Sequence, residues 1–170
     1  MTTALSLYNA MSTIDTALAN MQHVLKTGEA NAEERGIDPS VFLNTRLAPD
    51  MFGLIGQVQV AASLAKACPH RIVGSEPPVY EDTEKSFEDL YALIAKARNE
   101  LAKFSPEDIN GKEHREFSVK LGPNMRDFTA IAYLSGFIVP NIYFHTTTVY
   151  NILRHNGVPV GKRDFFGGPN

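Results

Sequence analysis

Apolar residues recur at steps of three and four along four segments of the chain, at about residues 7–25, 51–65, 87–104 and 131–152. Such spacing lays one apolar stripe along each of four α-helices. A helix of this kind must bury its stripe against another element. Four of them within 170 residues therefore predict an all-α fold, an antiparallel four-helix bundle that occupies residues 1–170 as a single domain.

Proline and capping residues indicate where the middle helices begin. The second helix is expected to start near Pro49 and Asp50, since proline suits a first helical turn. The third helix is expected to start at Thr83 or at Ser86, and Ser86 has the spacing of a capping box with Asp89. The proline-rich residues 68–82 connect these two helices, and they are long enough to cross one end of the bundle.

One stretch departs from helical spacing and predicts a small β-hairpin. Phe117, Val119 and Leu121 alternate with polar residues, and a turn signal begins at Gly122. The fourth helix is expected to follow this hairpin, over residues 129–155. The hairpin would therefore lie between the third and fourth helices.

The composition excludes several functional classes. Net charge is −3 and no dense stripe of lysine and arginine is present, so a nucleic-acid partner is not expected. Residues 1–21 lack a basic segment and a long apolar run, so neither a signal peptide nor a membrane span is expected. Cys68 is the one cysteine, which excludes an internal disulfide and a paired-thiol site. The sequence predicts a soluble, cytoplasmic protein.

Polar side chains interrupt the apolar stripe of the fourth helix. With a step of about 100° per residue, His145 falls at the centre of an arc of apolar residues. That arc contains Ile131, Leu134, Ile138, Val149 and Ile152. Asn141 lies inside the same arc and Thr148 lies at its edge. Because an unsatisfied buried polar group costs about 1–3 kcal/mol, these three side chains need hydrogen-bond partners.

The second helix can supply those partners. Asp50 and Gln57 are one heptad apart, so they share one edge of its inward face. In the fourth helix, Pro140 is expected to produce a kink, and Gly136 is expected to relieve the crowding of the proline ring. These residues predict either a ligand pocket between helices or a packed polar network that fixes helix register.

Three stretches of the chain resemble a known family. They are RLAPDMFGLIGQVQVA (residues 46–61), EPPVYEDTEKSF (76–87) and PNIYFHTTTVYNILRHNGVPVGKRDF (140–165). Over essentially its whole length the chain is similar to DUF1993, a domain family of unknown function within the DinB/YfiT-like superfamily of proposed metalloenzymes. The resemblance implies the DinB-like helical bundle.

The resemblance also implies a place for a metal. Many members of that superfamily bind a divalent metal with three histidines, and some use it to activate a small thiol for transfer or isomerisation. Carried over by position, the three ligands fall on Gln57, Asn141 and His145. Only one of these is a histidine, and amide oxygens are weak ligands for zinc. We therefore expect no bound metal and no cofactor.

Three functions remain open. The first is a pocket that binds a small molecule without a metal, with His145, Asn141, Gln57, Thr148 and Asp50 as candidate residues. The second is a thiol-dependent transferase or isomerase in which His145 acts as acid and base. The third is a structural or interaction protein without catalysis, whose polar residues only satisfy one another.

The remaining candidates are interpreted as surface features. His23, His70 and His114 show no metal-binding spacing and are expected at the surface. Tyr143 and Tyr150 lie one heptad apart on the back of the fourth helix. Either the C-terminal tail or a second copy of the chain would cover this face, and we favour a homodimer contact.

Overall fold

The structure, a computed structural model, describes residues 6–168. Its elements are α1 (Leu7–Glu34), α2 (Pro39–Asn44), α3 (Leu54–Val73), α4 (Phe87–Leu101), α5 (Pro106–Ile109), β1 (Glu116–Leu121), β2 (Asn124–Thr129), α6 (Ala130–Tyr133), a π turn (Leu134–Ile138), α7 (Val139–His155) and α8 (Lys162–Phe165). Since α6, the π turn and α7 follow one another without a break, they form one long helix, which we call the composite helix.

The described chain is mostly helical, with one two-stranded antiparallel sheet. The sheet confirms the predicted hairpin, because β1 and β2 pair from Glu116 opposite Thr129 to Leu121 opposite Asn124. None of the helices within residues 6–168 combines the length and the apolar character that crossing a membrane requires.

Four long helices surround the core. Both α1 and α3 pack against α4 and against the composite helix. α1 and α4 run in opposite directions, since Asp15 pairs with Arg98 at 2.7 Å and Glu29 accepts a hydrogen bond from Tyr91 at 2.8 Å. The partner numbers therefore fall along α4 as they rise along α1, as expected for an antiparallel pair.

α3 and α4 run in the same direction, which corrects the expected antiparallel arrangement. Gln59 lies 2.8 Å from Glu84, and His70 lies 2.9 Å from Glu100, so the partner numbers rise together. Residues 74–86 make this possible, because 13 extended residues span up to about 43 Å whereas α4 is about 22 Å long. The connection runs back along the helices rather than across one end.

α1 and the composite helix also run in the same direction. Near the C-terminal ends of both helices, Arg35 donates to the backbone carbonyl of Asn156 at 3.0 Å. Earlier in both, Gly28 lies against Leu153 so closely that a Cβ on the glycine would be 2.8 Å from a leucine methyl carbon. Two of the four neighbouring helix pairs are therefore parallel.

The π turn is a feature that the sequence did not predict. The backbone N–H of Val139 donates to the carbonyl of Leu134, five residues back rather than four. The extra residue rotates everything before the turn by about 100° relative to an unbroken α-helix. Ile131 is therefore 38 % exposed, and Tyr133 is buried instead at 1 %. The expected place of Ile131 beside His145 is wrong for this reason.

The π turn ends at Ile138, two residues before Pro140. A proline removes one N–H from the helix and crowds the preceding turn, and a π turn is a common place for that disturbance. A Cβ on Gly136 would meet no side chain and no other element within 4 Å. The expected crowding at Gly136 is therefore wrong, and the bend at Pro140 stays a prediction.

Candidate functional site

His145 and Gln57 form the centre of the candidate site. His145 lies in α7 with 7 % of its surface exposed, and Gln57 lies in the first turn of α3 with 1 % exposed. The Nδ1 atom of His145 is 2.7 Å from the Oε1 atom of Gln57. This contact confirms the prediction that the second long helix supplies a polar partner for His145.

The orientation of Gln57 fixes the tautomer of His145. Gln57 Nε2 donates to the backbone carbonyl of Phe52 at 2.9 Å, which leaves Oε1 facing the imidazole. A carboxamide oxygen can only accept, so Nδ1 of His145 carries the hydrogen. The other nitrogen of the neutral ring, Nε2, then carries a lone pair. Nε2 makes no hydrogen bond within residues 6–168, yet it is not fully enclosed.

Burial keeps this imidazole neutral. Desolvation lowers the pKa of His145 below its usual value of 6.5. The ring of Phe144 packs edge-on against it, with 5.3 Å between ring centres and 87° between planes. At neutral pH the site presents one unprotonated nitrogen in a fixed direction, which can accept a hydrogen bond or a proton.

Asn141 and Thr148 bond to their own helix rather than to the central pair. Asn141 Nδ2 donates to the carbonyl of Phe137 at 2.6 Å, and Thr148 Oγ1 donates to the carbonyl of Phe144 at 2.8 Å. Thr148 is buried and Asn141 is half-buried. The two candidates are therefore near His145 along α7. The Thr148 hydroxyl hydrogen and one of the two Asn141 amide hydrogens are taken by backbone carbonyls.

Asp50 lies outside the site, which corrects its assignment to the inward face of the second helix. α3 begins only at Leu54, and Asp50 is exposed in the preceding turn. That turn is closed by a hydrogen bond from the N–H of Met51 to the carbonyl of Ala48 at 3.0 Å. Pro49 takes its second position, where the fixed φ of proline suits a β-turn as well as a helix start.

Comparison with known proteins identifies the family. The model of the DUF1993 family, a domain of unknown function, matches residues 7–166. The chain belongs to the DUF1993 family. A crystal structure of a DinB family member protein from Shewanella denitrificans is similar at a TM-score of 0.86 and 35 % sequence identity, over 96 % of this chain and 93 % of that chain. The DinB-like assignment is thereby confirmed. No curated protein gives a significant match.

The donor atoms of this DUF1993 chain do not fit the metal ligands that the DinB resemblance implies. Two atoms bound to one tetrahedral zinc lie about 3.4 Å apart, given bonds of about 2.1 Å, whereas His145 Nδ1 and Gln57 Oε1 share a hydrogen at 2.7 Å. The Asn141 amide donates to its own helix. Within residues 6–168, no three His, Cys, Asp or Glu side chains converge where a metal could bind. These residues therefore do not form the three-histidine set that the resemblance implies.

Each member of the central pair contacts an exposed aromatic residue, Gln57 through the backbone carbonyl of Phe52 and His145 through the ring of Phe144. Phe52, whose carbonyl receives the Gln57 amide, is 62 % exposed, and Phe144 is 56 % exposed. A groove of about 410 Å³ runs beside Phe52 and Phe137 along α3, although neither His145 nor Gln57 lines it. The exposed apolar group that lies against the imidazole is therefore the ring of Phe144, and the groove at Phe52 is separate from it.

Sequence reasoning missed a second polar cluster, at the other end of α3. His70 was expected at the surface, but only 14 % of its side chain is exposed. Its ring nitrogens lie 2.8 Å from Ser75 Oγ and 2.9 Å from Glu100 Oε1. The expectation is wrong because Glu100 reaches inward from α4. A signal was present, since Glu100 follows the core residue Ala97 by three positions and shares its helix face.

The C-terminal segment covers part of the back of the composite helix. Tyr150 packs against Phe165 of α8, with 6.0 Å between ring centres and 81° between planes. Tyr143 remains 37 % exposed. Of the two occupants expected for this face, the C-terminal segment lies at Tyr150, and a homodimer contact at Tyr143 stays a prediction.

Proposed function

We propose that this protein binds a small molecule at His145 without a metal, on a DinB-type four-helix bundle in the cytoplasm. The fixed lone pair of Nε2 is the observation that supports this function. Nδ1 is held by Gln57, so the direction of Nε2 is set before any ligand arrives. The ligand would place a hydrogen-bond donor on Nε2 and an apolar part against the exposed ring of Phe144.

A packed polar network that only fixes helix register is the alternative. Fixing the register of α3 against α7 requires the contact between His145 Nδ1 and Gln57. It does not involve Nε2. In a network whose members satisfy one another, each buried polar atom has a partner in the protein or in ordered water. Nε2 of His145 has no protein partner within residues 6–168 and is not fully enclosed, so it is accessible to a ligand, which supports the binding proposal.

A second candidate function is acid–base catalysis, and the lowered pKa of His145 favours it. An imidazole that stays neutral can take the proton of a thiol or hydroxyl that reaches Nε2, while Gln57 holds the Nδ1 hydrogen of the resulting imidazolium. The thiol-dependent transfer or isomerisation is carried over from the DinB superfamily.

Native mass spectrometry of the freshly purified full-length protein tests the proposal, because it reports bound small molecules, metal and oligomeric state together. We expect an organic species to co-purify with the parent and with Asn151→Ala, an exposed position on the same helix. The species should be lost in His145→Leu.

Nuclear magnetic resonance provides the second measurement. If no species co-purifies, the parent is titrated with a panel of small thiols, alcohols and amides while the Nε2 resonance of His145 is followed. A shift with thiols alone would favour the acid–base candidate. A resonance that no compound moves, or an adduct that His145→Leu retains, would contradict binding at this atom.

A further inference from the structure

Three side chains at the C-terminal end of α3 form a continuous hydrogen-bonded chain. Ser75 Oγ lies 2.8 Å from His70 Nδ1, and His70 Nε2 lies 2.9 Å from Glu100 Oε1. Ser75 is exposed to solvent, whereas the side chains of His70 and Glu100 are 14 % and 10 % exposed. A hydroxyl, an imidazole and a carboxylate in this order are the parts of a base-activated nucleophile.

The charge of Glu100 sets the direction of the hydrogen bonds. Burial raises the pKa of this carboxyl, but the hydrogen bonds from Lys103 and His70 outweigh it, so the pKa of Glu100 lies below its usual value. An ionised carboxylate only accepts, so His70 Nε2 carries a hydrogen. In the neutral ring Nδ1 then has the lone pair, and the Ser75 hydroxyl donates to it. Ser75 thus donates to His70, and His70 donates to Glu100. A proton that leaves the serine would move in this same direction.

The end of α3 fixes Ser75 in this position. Gly74 has a φ of 87°, the left-handed conformation that ends the helix. The backbone N–H of Ser75 donates to the carbonyl of His70 at 2.9 Å. The same serine is thus bound to the same histidine through its backbone and through its side chain. Its hydroxyl is held in place before a substrate arrives, which a nucleophile requires.

A guanidinium group lies one residue away. Arg115 Nη1 donates to the carbonyl of Arg71 at 2.7 Å, which anchors the group at the helix end. A Cβ on Gly74 would lie 2.5 Å from Arg115 Nη2, so the cation rests directly on this glycine. Nη2 makes no hydrogen bond within residues 6–168. Its free N–H groups are available to an anion that forms at Ser75.

We propose that Ser75 is a nucleophile toward small carboxylic esters, with His70 as its base, Glu100 as the positioning residue and Arg115 as the cation that stabilises the oxyanion. No residue of this cluster belongs to the His145 site. His70 is 13 positions from Gln57, which corresponds to about 20 Å along α3. The two proposals therefore succeed or fail separately.

The reaction balances with water as the second substrate. Ser75 Oγ bonds to the ester carbonyl carbon, its proton passes to His70 Nδ1, and the carbonyl electron pair moves onto oxygen beside Arg115. That pair returns as the bond to the alcohol breaks, and the alcohol leaves with the proton from Nδ1. Water then attacks the acyl-serine, with His70 taking and returning its proton, and releases the carboxylic acid and the free serine.

Labelling with a fluorophosphonate tests the nucleophile directly. The full-length protein is incubated with the reagent, and intact mass and peptide mapping report the number and place of adducts. We expect one adduct on Ser75 and none in Ser75→Ala. Ser118→Ala is the matched control, because the Ser118 hydroxyl bonds to the carboxylate of Asp127 at 2.6 Å without an imidazole. His70→Gln should label about a hundredfold more slowly.

A thiol at the same position gives an independent measurement. Cys68 is buried and its burial raises the pKa of its thiol, so it contributes no background. Ser75→Cys should react with iodoacetamide at pH 6.5 roughly tenfold faster than Ser118→Cys, because an adjacent imidazole favours the thiolate. Adding Glu100→Gln to Ser75→Cys should remove most of that difference.

Two outcomes overturn the proposal. One is a parent protein that the fluorophosphonate leaves unmodified or modifies elsewhere. The other is equal alkylation rates for Ser75→Cys and Ser118→Cys. Both outcomes can be measured even if His70→Gln fails to fold. They rely on substitutions at Ser75 and Ser118, which are exposed positions where a cysteine is tolerated.

Discussion

Gln57 and His145 lie 88 positions apart in the chain, yet their side chains share one hydrogen across 2.7 Å between α3 and α7. The contact joins two helices that run in opposite directions and leaves each residue with a defined orientation. It also distinguishes the two nitrogens of His145, since Nδ1 binds Gln57 whereas Nε2 makes no hydrogen bond within residues 6–168. The behaviour of this pair under changes of pH follows directly.

Stability should fall as pH falls below about 6.5, in part because of His145. Its pKa is lowered in the folded chain, so the unfolded chain binds a proton there that the folded chain does not. The free energy of unfolding therefore rises with pH up to about 6.5 and loses this contribution below it. His145→Gln lacks the titration. The gap in unfolding free energy between parent and variant should be constant above pH 7 and narrow toward pH 5, as measured by urea denaturation. A gap that widens with acid would contradict the assignment.

Gly136→Ala should stabilise the protein by about 1 kcal/mol, because alanine favours helix over glycine and the new Cβ meets open space. Urea denaturation measures the change. Gly28→Ala is the opposite case, since its Cβ would lie 2.8 Å from Leu153 Cδ2 and overpack the core. We expect that variant to be less stable than Gly136→Ala, because the fully buried side chain of Leu153 must shift to admit the methyl group. A destabilised Gly136→Ala would mean that the π turn depends on glycine.

Ser86→Ala should destabilise the protein by about 1 kcal/mol through loss of a helix cap. Ser86 Oγ accepts from the N–H of Asp89 at 3.1 Å, and the Asp89 carboxylate accepts from the N–H of Ser86 at 3.0 Å. This is the capping box predicted from the sequence. Ser12→Ala is the control, because the Ser12 hydroxyl bonds only to a carbonyl within α1. Thermal melting should separate the two serine variants clearly, and equal melting temperatures would count against the cap.

Replacing Gln57 and Asn141 together by histidine should create a three-histidine metal site with His145. Gln57 already touches His145, and Asn141 is four residues from it on the same helix, close enough for two imidazoles to share one ion. Plasma mass spectrometry after purification and a zinc titration measure uptake in both proteins. Stoichiometric metal in the parent would contradict the expectation of a metal-free site. A folded double variant that takes up nothing would show that the positions carried over from the superfamily are wrong.

The sequence predicted the inward face of α7 correctly because no irregularity lies between the residues compared. His145, Val149 and Ile152 are one regular helix, and all are buried. Ile131 fails the same test because the π turn lies between it and His145. Assigning helix faces from sequence spacing assumes that every backbone hydrogen bond spans four residues. Where a π turn interrupts that pattern, the assignment shifts for the residues that precede the turn.

Two other features depend on contacts that sequence spacing does not contain. Asp50 was assigned to a helix because a proline fits a first helical turn and a β-turn equally well. His70 was assigned to the surface because it shows no metal-binding spacing. Its partner Glu100 lies 30 positions away, on a helix that was expected to run in the opposite direction. Local sequence patterns predict that a helix or strand exists. Which other helices pack against it depends on the path of the connecting segments.

The π turn also bears on how relatives are aligned with this chain. A homologue that is α-helical throughout this region would reach the same fold with one residue fewer between Ala130 and Val139. An alignment without a gap there would pair every earlier position with one that points about 100° away. Residues before the turn should therefore be aligned by matching the buried positions Ala130 and Tyr133. Counting back from His145 without a gap would misalign them.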